Sequence, residues 1–189
     1  MPYLNLASIR QCTESEGPGN RMAVWVQGCL RRCPGCCNQE MQQIRKNKIV
    51  DAADFISLIS KAKHDFQIEG ITLLGGEPVL QAEGLAYVAE WCRSQSLSVI
   101  TFTGYLYQEL LEMDNPHVLK LLKYTDILVD GQFMEDLYDT QREWVGSSNQ
   151  KVYFLTDFYE SGVEYGTHTR SMEINISEHT LSVNGWPFE

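Results

Sequence analysis

The sequence is short of positive charge and lacks any long apolar run. Its 189 residues carry 15 lysines and arginines against 25 acids, a net charge of −10. A phosphate-binding surface would need a concentrated basic face to overcome that balance. The local basic cluster is limited to Arg31, Arg32, Arg45, Lys46 and Lys48, so nucleic acid is not expected as a partner. No stretch approaches the ~18 apolar residues of a membrane span. The opening Met-Pro-Tyr-Leu-Asn-Leu-Ala has neither the basic nor the apolar region of a signal peptide. A cytoplasmic protein without a membrane partner is expected. The six cysteines fall far below the ~8–10% that marks a disulfide scaffold. The four histidines, His64, His117, His168 and His179, show no metal-ligand spacing.

What is present is a globular composition, 43% hydrophobic and 21% charged, with enough apolar material for a core. The length suits one domain with a small appendage, since domains commonly run ~100–200 residues. A complete eight-fold βα barrel needs ~250 residues, so at most a partial barrel fits.

Apolar and β-branched runs predict strands over Met22–Gln27, Gly70–Leu74, Leu97–Phe102, Asp126–Asp130 and Lys151–Leu155. Helical periodicity predicts helices over Asp51–His64, Gln81–Arg93, Tyr105–Met113 and Pro116–Lys123, the last opened by an Asn115 cap with Pro at the first position. Strands alternating with helices make an α/β domain with a mainly parallel sheet. Ligands collect at the carboxyl ends of such strands. The Cys-rich segment, Gly75-Gly76-Glu77-Pro78, Thr103-Gly104 and Asp130-Gly131 each follow a strand, so they are expected on one rim. After about Thr156 the pattern changes. Met172–Ile176 and Thr180–Asn184 alternate like a hairpin around Ser177-Glu178-His179. The expected organisation is a domain over 1–155 and an appendage over 156–189.

Four of the cysteines crowd into Cys29-Leu-Arg-Arg-Cys33-Pro-Gly-Cys36-Cys37. Clustered thiols suggest metal or redox chemistry, and thiolates favour zinc and iron–sulfur clusters. The spacing can bring Cys29, Cys33 and Cys36 around one centre. Structural zinc wants four ligands and usually a second distant pair, which is missing. Cys37 is an awkward fourth ligand, because adjacent side chains diverge. A cluster held by three cysteines keeps one iron open to an exogenous ligand.

The Cys-x₃-Cys-x₂-Cys string resembles the signature of radical S-adenosylmethionine (SAM) enzymes. The companion strings are Gly17-Pro-Gly-Asn-Arg21, Asn38, Gly75-Gly76-Glu77-Pro78, Thr103-Gly104-Tyr105, Leu128-Val-Asp-Gly131 and Gly146-Ser-Ser-Asn-Gln150. In this order, over roughly residues 14–155, they look like the activating proteins of anaerobic ribonucleotide reductase. The resemblance implies an α/β partial barrel of five or six βα units, open on one side, with a small C-terminal β-hairpin appendage. It implies a [4Fe-4S] cluster on Cys29, Cys33 and Cys36. It implies SAM on the open iron, lying along Gly75, Gly76, Glu77 and Pro78, with Gly35, Cys36, Cys37, Thr103 and Asp130 also at the cofactor. Glycines there allow the backbone to approach a ligand closely. The implied activity is that of an oxidoreductase that reductively cleaves SAM to a 5′-deoxyadenosyl radical and installs a glycyl radical on the reductase. A reductant such as flavodoxin or ferredoxin is the implied electron source. No catalytic side chain beyond the cofactor ligands is expected. A different peptide or metabolite substrate on the same scaffold, and a non-enzymatic iron–sulfur or zinc module, are the competing readings.

Two features depart from that family. Cys37 stands where an aromatic residue is common, and the segment after about Thr156 has no counterpart in short members. Cys92 falls on the buried stripe of a helix and reads as a core residue; Cys12 reads as a free thiol. Arg21, Arg31 and Arg32 are either solvated charges or cations near a negatively charged cluster. Trp144 is the best aromatic candidate for an edge of the cofactor pocket, and Ser147-Ser148-Asn149 is a further candidate contact.

Overall fold

The computed structural model describes residues 2–166, 172–176 and 181–185. Its main sheet holds β1 (Tyr3–Thr13), β2 (Arg21–Val26), β3 (Lys48–Asp51), β4 (Gly70–Gly75), β5 (Ser98–Phe102), β6 (Ile127–Asp130) and β7 (Lys151–Phe154). Four helices connect them: α1 (Ala52–Phe66), α2 (Ala82–Ser94), α3 (Tyr107–Glu112) and α4 (Pro116–Lys123). The strand order is β3-β1-β2-β4-β5-β6-β7.

The central strands β2, β4, β5 and β6 run parallel to one another, whereas β1 pairs antiparallel with β2 and β3, and β7 antiparallel with β6. Half of the six pairings are therefore antiparallel, which corrects the expectation of a mainly parallel sheet. The reason lies in the connections. Helical crossovers carry the chain back to the starting end between parallel strands. The loops of residues 14–20 and 131–150 contain no such helix, so β1–β2 and β6–β7 reverse direction. The sheet is open. Its edge β3 has four residues, with Lys48 and Ile49 exposed, and follows the exposed Arg45 and Lys46.

Period-two alternation divides the strand side chains between two faces. Met22, Val24, Val26, Ile71, Leu73, Val99 and Leu128 pack in one core with Phe55 and Ile59 of α1, Leu85 and Val88 of α2, Leu110 of α3 and Leu121 of α4. All four helices thus cover one face. Ala23, Trp25 and Leu74 form a separate cluster with Phe102 packed against it, and Ile100, Ile127 and Val129 form another. These residues look out over the face without helices. Asn115 caps α4 by accepting from the His117 N–H at 3.0 Å, with Pro116 opening the helix, as the sequence predicts. Expected Tyr105–Met113 begins two residues later, because the Glu109 carboxylate caps the Leu106 N–H at 2.6 Å and holds the chain outside the helix until Tyr107.

Arg21 lies fully buried at the start of β2. Its guanidinium donates to Thr72 Oγ1 at 2.8 Å, Ile71 O at 2.6 Å, Ser98 Oγ at 2.9 Å, Pro18 O at 3.2 Å and the Tyr159 hydroxyl at 2.8 Å. This fork stitches the loop before β2 and the chain after β7 onto β4 and β5. Burial lowers the Arg21 pKa, and Tyr159 acts in the opposite direction. Beyond β7, β8 (Glu173–Ile176) and β9 (Leu181–Asn184) form an antiparallel hairpin. The expected turn at Ser177-Glu178-His179, together with Thr180, His168 and the closing residues 186–189, lies outside the described residues. No helix among the described residues is long and apolar enough to cross a membrane.

Candidate metal and cofactor site

The helix-free face carries a cavity of about 930 Å³. Its floor comes from inward strand residues, including Trp25, Leu74 and Phe102, and its rim from the loops at the strand ends.

The Cys segment leaves β2 at Gly28, whose φ of 101° is accessible to glycine at little cost. The segment is clasped at its base by Gly28 N–H to Met41 O at 2.7 Å and Cys29 N–H to Gln42 O at 3.0 Å. The turn after β4 is zipped to it. Gly76 N–H donates to Val26 O and Glu77 N–H to Gly28 O, both at 2.8 Å. A Cβ on Gly76 would stand 2.3 Å from Gly28 O, so no larger residue permits this approach of the two backbones.

Glu77 joins this pair to the next loop. It is 1% exposed, and its carboxylate accepts from Val79 N–H at 3.0 Å, Thr103 Oγ1 at 2.8 Å and Gly104 N–H at 2.8 Å. Burial raises its pKa, while those donors and nearby Arg31 lower it. The carboxylate is thus largely occupied in fixing two turns against each other. Arg31 stacks over the Tyr105 ring at 3.8 Å and pairs with Glu109 at 2.7 Å.

Cys29 is buried, Cys33 and Cys36 are half-buried, and Cys37 is exposed; all are free thiols lining the cavity. The Sγ atoms of Cys29 and Cys36 accept from the N–H groups of Arg31 and Asn38, each at 3.4 Å. Cys33 receives a backbone hydrogen bond from Phe133, on the loop after β6. Burial raises the Cys33 thiol, and Cys36 and Cys29 add to the rise. The Cys37 thiol is also raised, because neighbouring atoms crowd water from around the sulfur although the residue as a whole is exposed, and Cys36 and Glu16 add to the rise. N–H donors to sulfur are what a thiolate-held cluster uses to stabilise its negative charge. Among the described residues no three His, Cys, Asp or Glu side chains converge on one ion. In a multi-iron cluster each thiolate binds a different iron, so convergence on one point is not required.

Among the described residues, three buried polar atoms of cavity-lining residues have no partner: Arg31 Nε, Glu143 Oε1 and Trp144 Nε1. Buried polar groups are normally paired, so these atoms suit a polar ligand. Trp144 adopts φ 48° and packs edge-on against Phe102 at 6.3 Å. The three thiols and these orphaned atoms fit a cluster with a polar organic cofactor beside it.

Of the expected cofactor residues, Cys36, Cys37, Gly75, Gly76, Glu77, Pro78 and Thr103 line the cavity, whereas Gly35 and Asp130 do not. Asp130 is 1% exposed and turns into the fold, accepting from Tyr107 N–H at 2.6 Å and Lys151 N–H at 3.2 Å. It holds the start of α3 and β7 in place of facing a ligand. Gly35 faces Glu135, whose Oε2 would be 2.7 Å from an added Cβ. Ser147 is buried and accepts from Met134 N–H at 3.1 Å; of that stretch Gly146 and Gln150 reach the cavity and Ser147, Ser148 and Asn149 do not. Arg32 is exposed, and only Arg31 of the three weighed arginines lines the cavity. Cys92 is fully buried in the helix-side core, and its thiol is pushed up to about 12 by burial. Glu143 carries no motif signal; its place on the cavity wall follows from the fold of the loop between β6 and β7.

These features define an iron–sulfur protein on an open α/β sheet. The family described as a 4Fe-4S single cluster domain matches residues 15–153. Among similar proteins, the anaerobic ribonucleoside-triphosphate reductase-activating protein of Enterobacteria phage T4 is 29% identical over 158 residues, 82% of this chain and 96% of that one. The protein of the same name from Escherichia coli K12 is 31% identical over 145 residues, covering 74% and 91%. That from Vibrio cholerae is 32% identical over 146 residues, covering 74% and 91%. The chain belongs to the family of anaerobic ribonucleoside-triphosphate reductase-activating proteins.

Proposed function

We propose that the chain is a radical SAM activase that installs a glycyl radical on anaerobic ribonucleotide reductase. The observation that carries this reading is the junction of the three thiols with the Gly75–Pro78 turn on one cavity. Cys29, Cys33 and Cys36 would hold a [4Fe-4S] cluster, and Gly75, Gly76, Glu77, Pro78 and Thr103 would border SAM. When bound, the cluster would supply the electron for reductive cleavage of SAM, the chemistry that would end in a glycyl radical on the reductase. The chain's own residues bind and orient. Glu77 fixes the turns, Arg31 offers a buried N–H, and Trp144 walls the pocket. Apolar Trp25, Leu74 and Phe102 exclude water from the floor.

Ligand pockets run ~300–1,000 Å³, so this cavity is large enough for a cofactor and an entering peptide segment. Helices on one face and a cavity on the other support reading the sheet as the wall of a partial barrel. The same reading divides the chain into a catalytic part, 1–155, and an appendage, 156–189. A flavodoxin or ferredoxin would deliver the electron.

The test is anaerobic reconstitution, reduction and addition of SAM, with and without the reductase. Deoxyadenosine together with a glycyl radical signal on the reductase is the expected result. Deoxyadenosine without that signal transfers the chemistry to another peptide or metabolite. A full four-iron cluster that yields no deoxyadenosine overturns the radical SAM reading.

A further inference from the structure

The β8–β9 hairpin lies outside the span of the family match, which ends at residue 153. Its pairing sets Ile174 opposite Val183 and Ile176 opposite Leu181. Residues two apart on a strand share a face, and directly paired residues share it across the ladder. The four apolar side chains therefore form one patch. All are exposed: Ile174 and Val183 by 53%, Leu181 by 68% and Ile176 by 80%. A two-stranded hairpin is marginally stable alone and normally turns its apolar face onto a core. Among the described residues nothing covers that face here.

The hairpin is nevertheless pinned, and pinned at the cavity. Glu173 Oε1 accepts from the Glu14 N–H at 2.9 Å. The Gly185 N–H donates to the Glu16 carboxylate. Glu14, Glu16, Val183 and Gly185 all line the cavity, so Val183 belongs both to the cavity wall and to the exposed patch. The apolar surface is continuous with the cavity that holds the cysteines. Glu14, exposed and on the cavity wall, places a carboxylate at its edge. An exposed contiguous apolar patch marks a protein-binding surface.

We infer that the outward face of the β8–β9 hairpin is a docking surface for the polypeptide substrate. This rests on the activase reading given above. The occupant is an apolar patch on the anaerobic reductase, because the hairpin stands at the cavity where that polypeptide would react. Docking there would hold the reductase beside the cavity and limit the span its reacting segment must cross.

The experiment uses the cluster-loaded full chain and the anaerobic reductase. One variant carries Ile176→Asp with Leu181→Asp. A second carries Ile176→Thr with Leu181→Thr, which keeps β-forming residues and strand pairing while removing apolar surface. In both, deoxyadenosine formation without reductase should equal wild type, and the Kd for reductase should rise tenfold or more. Wild-type affinity in the Thr pair overturns the docking inference and leaves the activase reading intact. A wild-type dimer that both variants convert to monomer, at unchanged reductase affinity, shows a self-association face and also overturns it. A wild-type chain that cleaves SAM but neither binds nor activates the reductase overturns both readings.

Discussion

Glu77 and Thr103 are bonded to each other inside the protein: the Thr103 hydroxyl donates to Glu77 Oε1 at 2.8 Å, with both residues buried. The bond ties the turn after β4 to the turn after β5. Because Val79 and Gly104 also donate to this carboxylate, Glu77→Gln must set an amide N–H₂ against at least one N–H donor. A cost of about 1–3 kcal/mol is expected, read as a lower urea midpoint. Thr103→Val, which removes one donor, should cost about 1 kcal/mol.

The cysteines should separate into two groups. Replacing Cys29, Cys33 or Cys36 by Ala should abolish the four-iron cluster, measured by iron content and visible absorption. Cys37→Ala and Cys92→Ala should retain it. Full cluster content in Cys33→Ala would remove that residue from the ligand set.

Arg21 should be irreplaceable by lysine. Its planar fork serves six acceptors in different directions, and a lysine ammonium has three donors at one point. Arg21→Lys and Arg21→Met should each destabilise the fold by on the order of 3 kcal/mol, since buried acceptors lose their partners. Tyr159→Phe removes one of these bonds and should cost about 1 kcal/mol. Chemical denaturation of the three variants tests the order.

Stability should fall as pH rises toward 8. Burial pushes the Glu16 carboxyl up to about 8, against a lowering by the Gly185 N–H, with Glu173 adding to the rise. An unfolded glutamate titrates near 4.5. Between those values the folded chain keeps a proton that the unfolded chain has lost, so unfolding becomes easier with each step in pH. Above about 8 this contribution levels off. Glu77 is raised as well and contributes with the same sign. Glu16→Gln should flatten the slope between pH 6 and 8 in denaturation of the cluster-loaded protein; an unchanged slope would assign it elsewhere.

The sequence disclosed the α1, α2 and α4 helices because each has a wide apolar stripe and a usable terminus signal. It disclosed the shared rim because four motifs each follow a strand. It did not disclose β1, whose Leu4 and Leu6 alternate but whose later residues, such as Arg10 and Gln11, are polar; pairing with β2 and β3 completes that strand. Asp130 shows a second limit. A carboxylate at a strand end can face a ligand or the fold, and the choice falls to the N–H groups of Tyr107 and Lys151, distant in sequence. Arg21, read as either a solvated charge or a cation near the cluster, is neither, because burial of an arginine depends on acceptors gathered from four other segments.

The short edge strand β3 has a consequence for behaviour in crowded solution. A free sheet edge offers unpaired backbone groups to any passing strand, and Ile49 on it is half-exposed and apolar. In a chain with so few basic residues, Arg45, Lys46 and Lys48 stand at this edge. They resist edge-to-edge stacking of identical copies, so neutralising all three should turn a dispersed protein into one prone to precipitate.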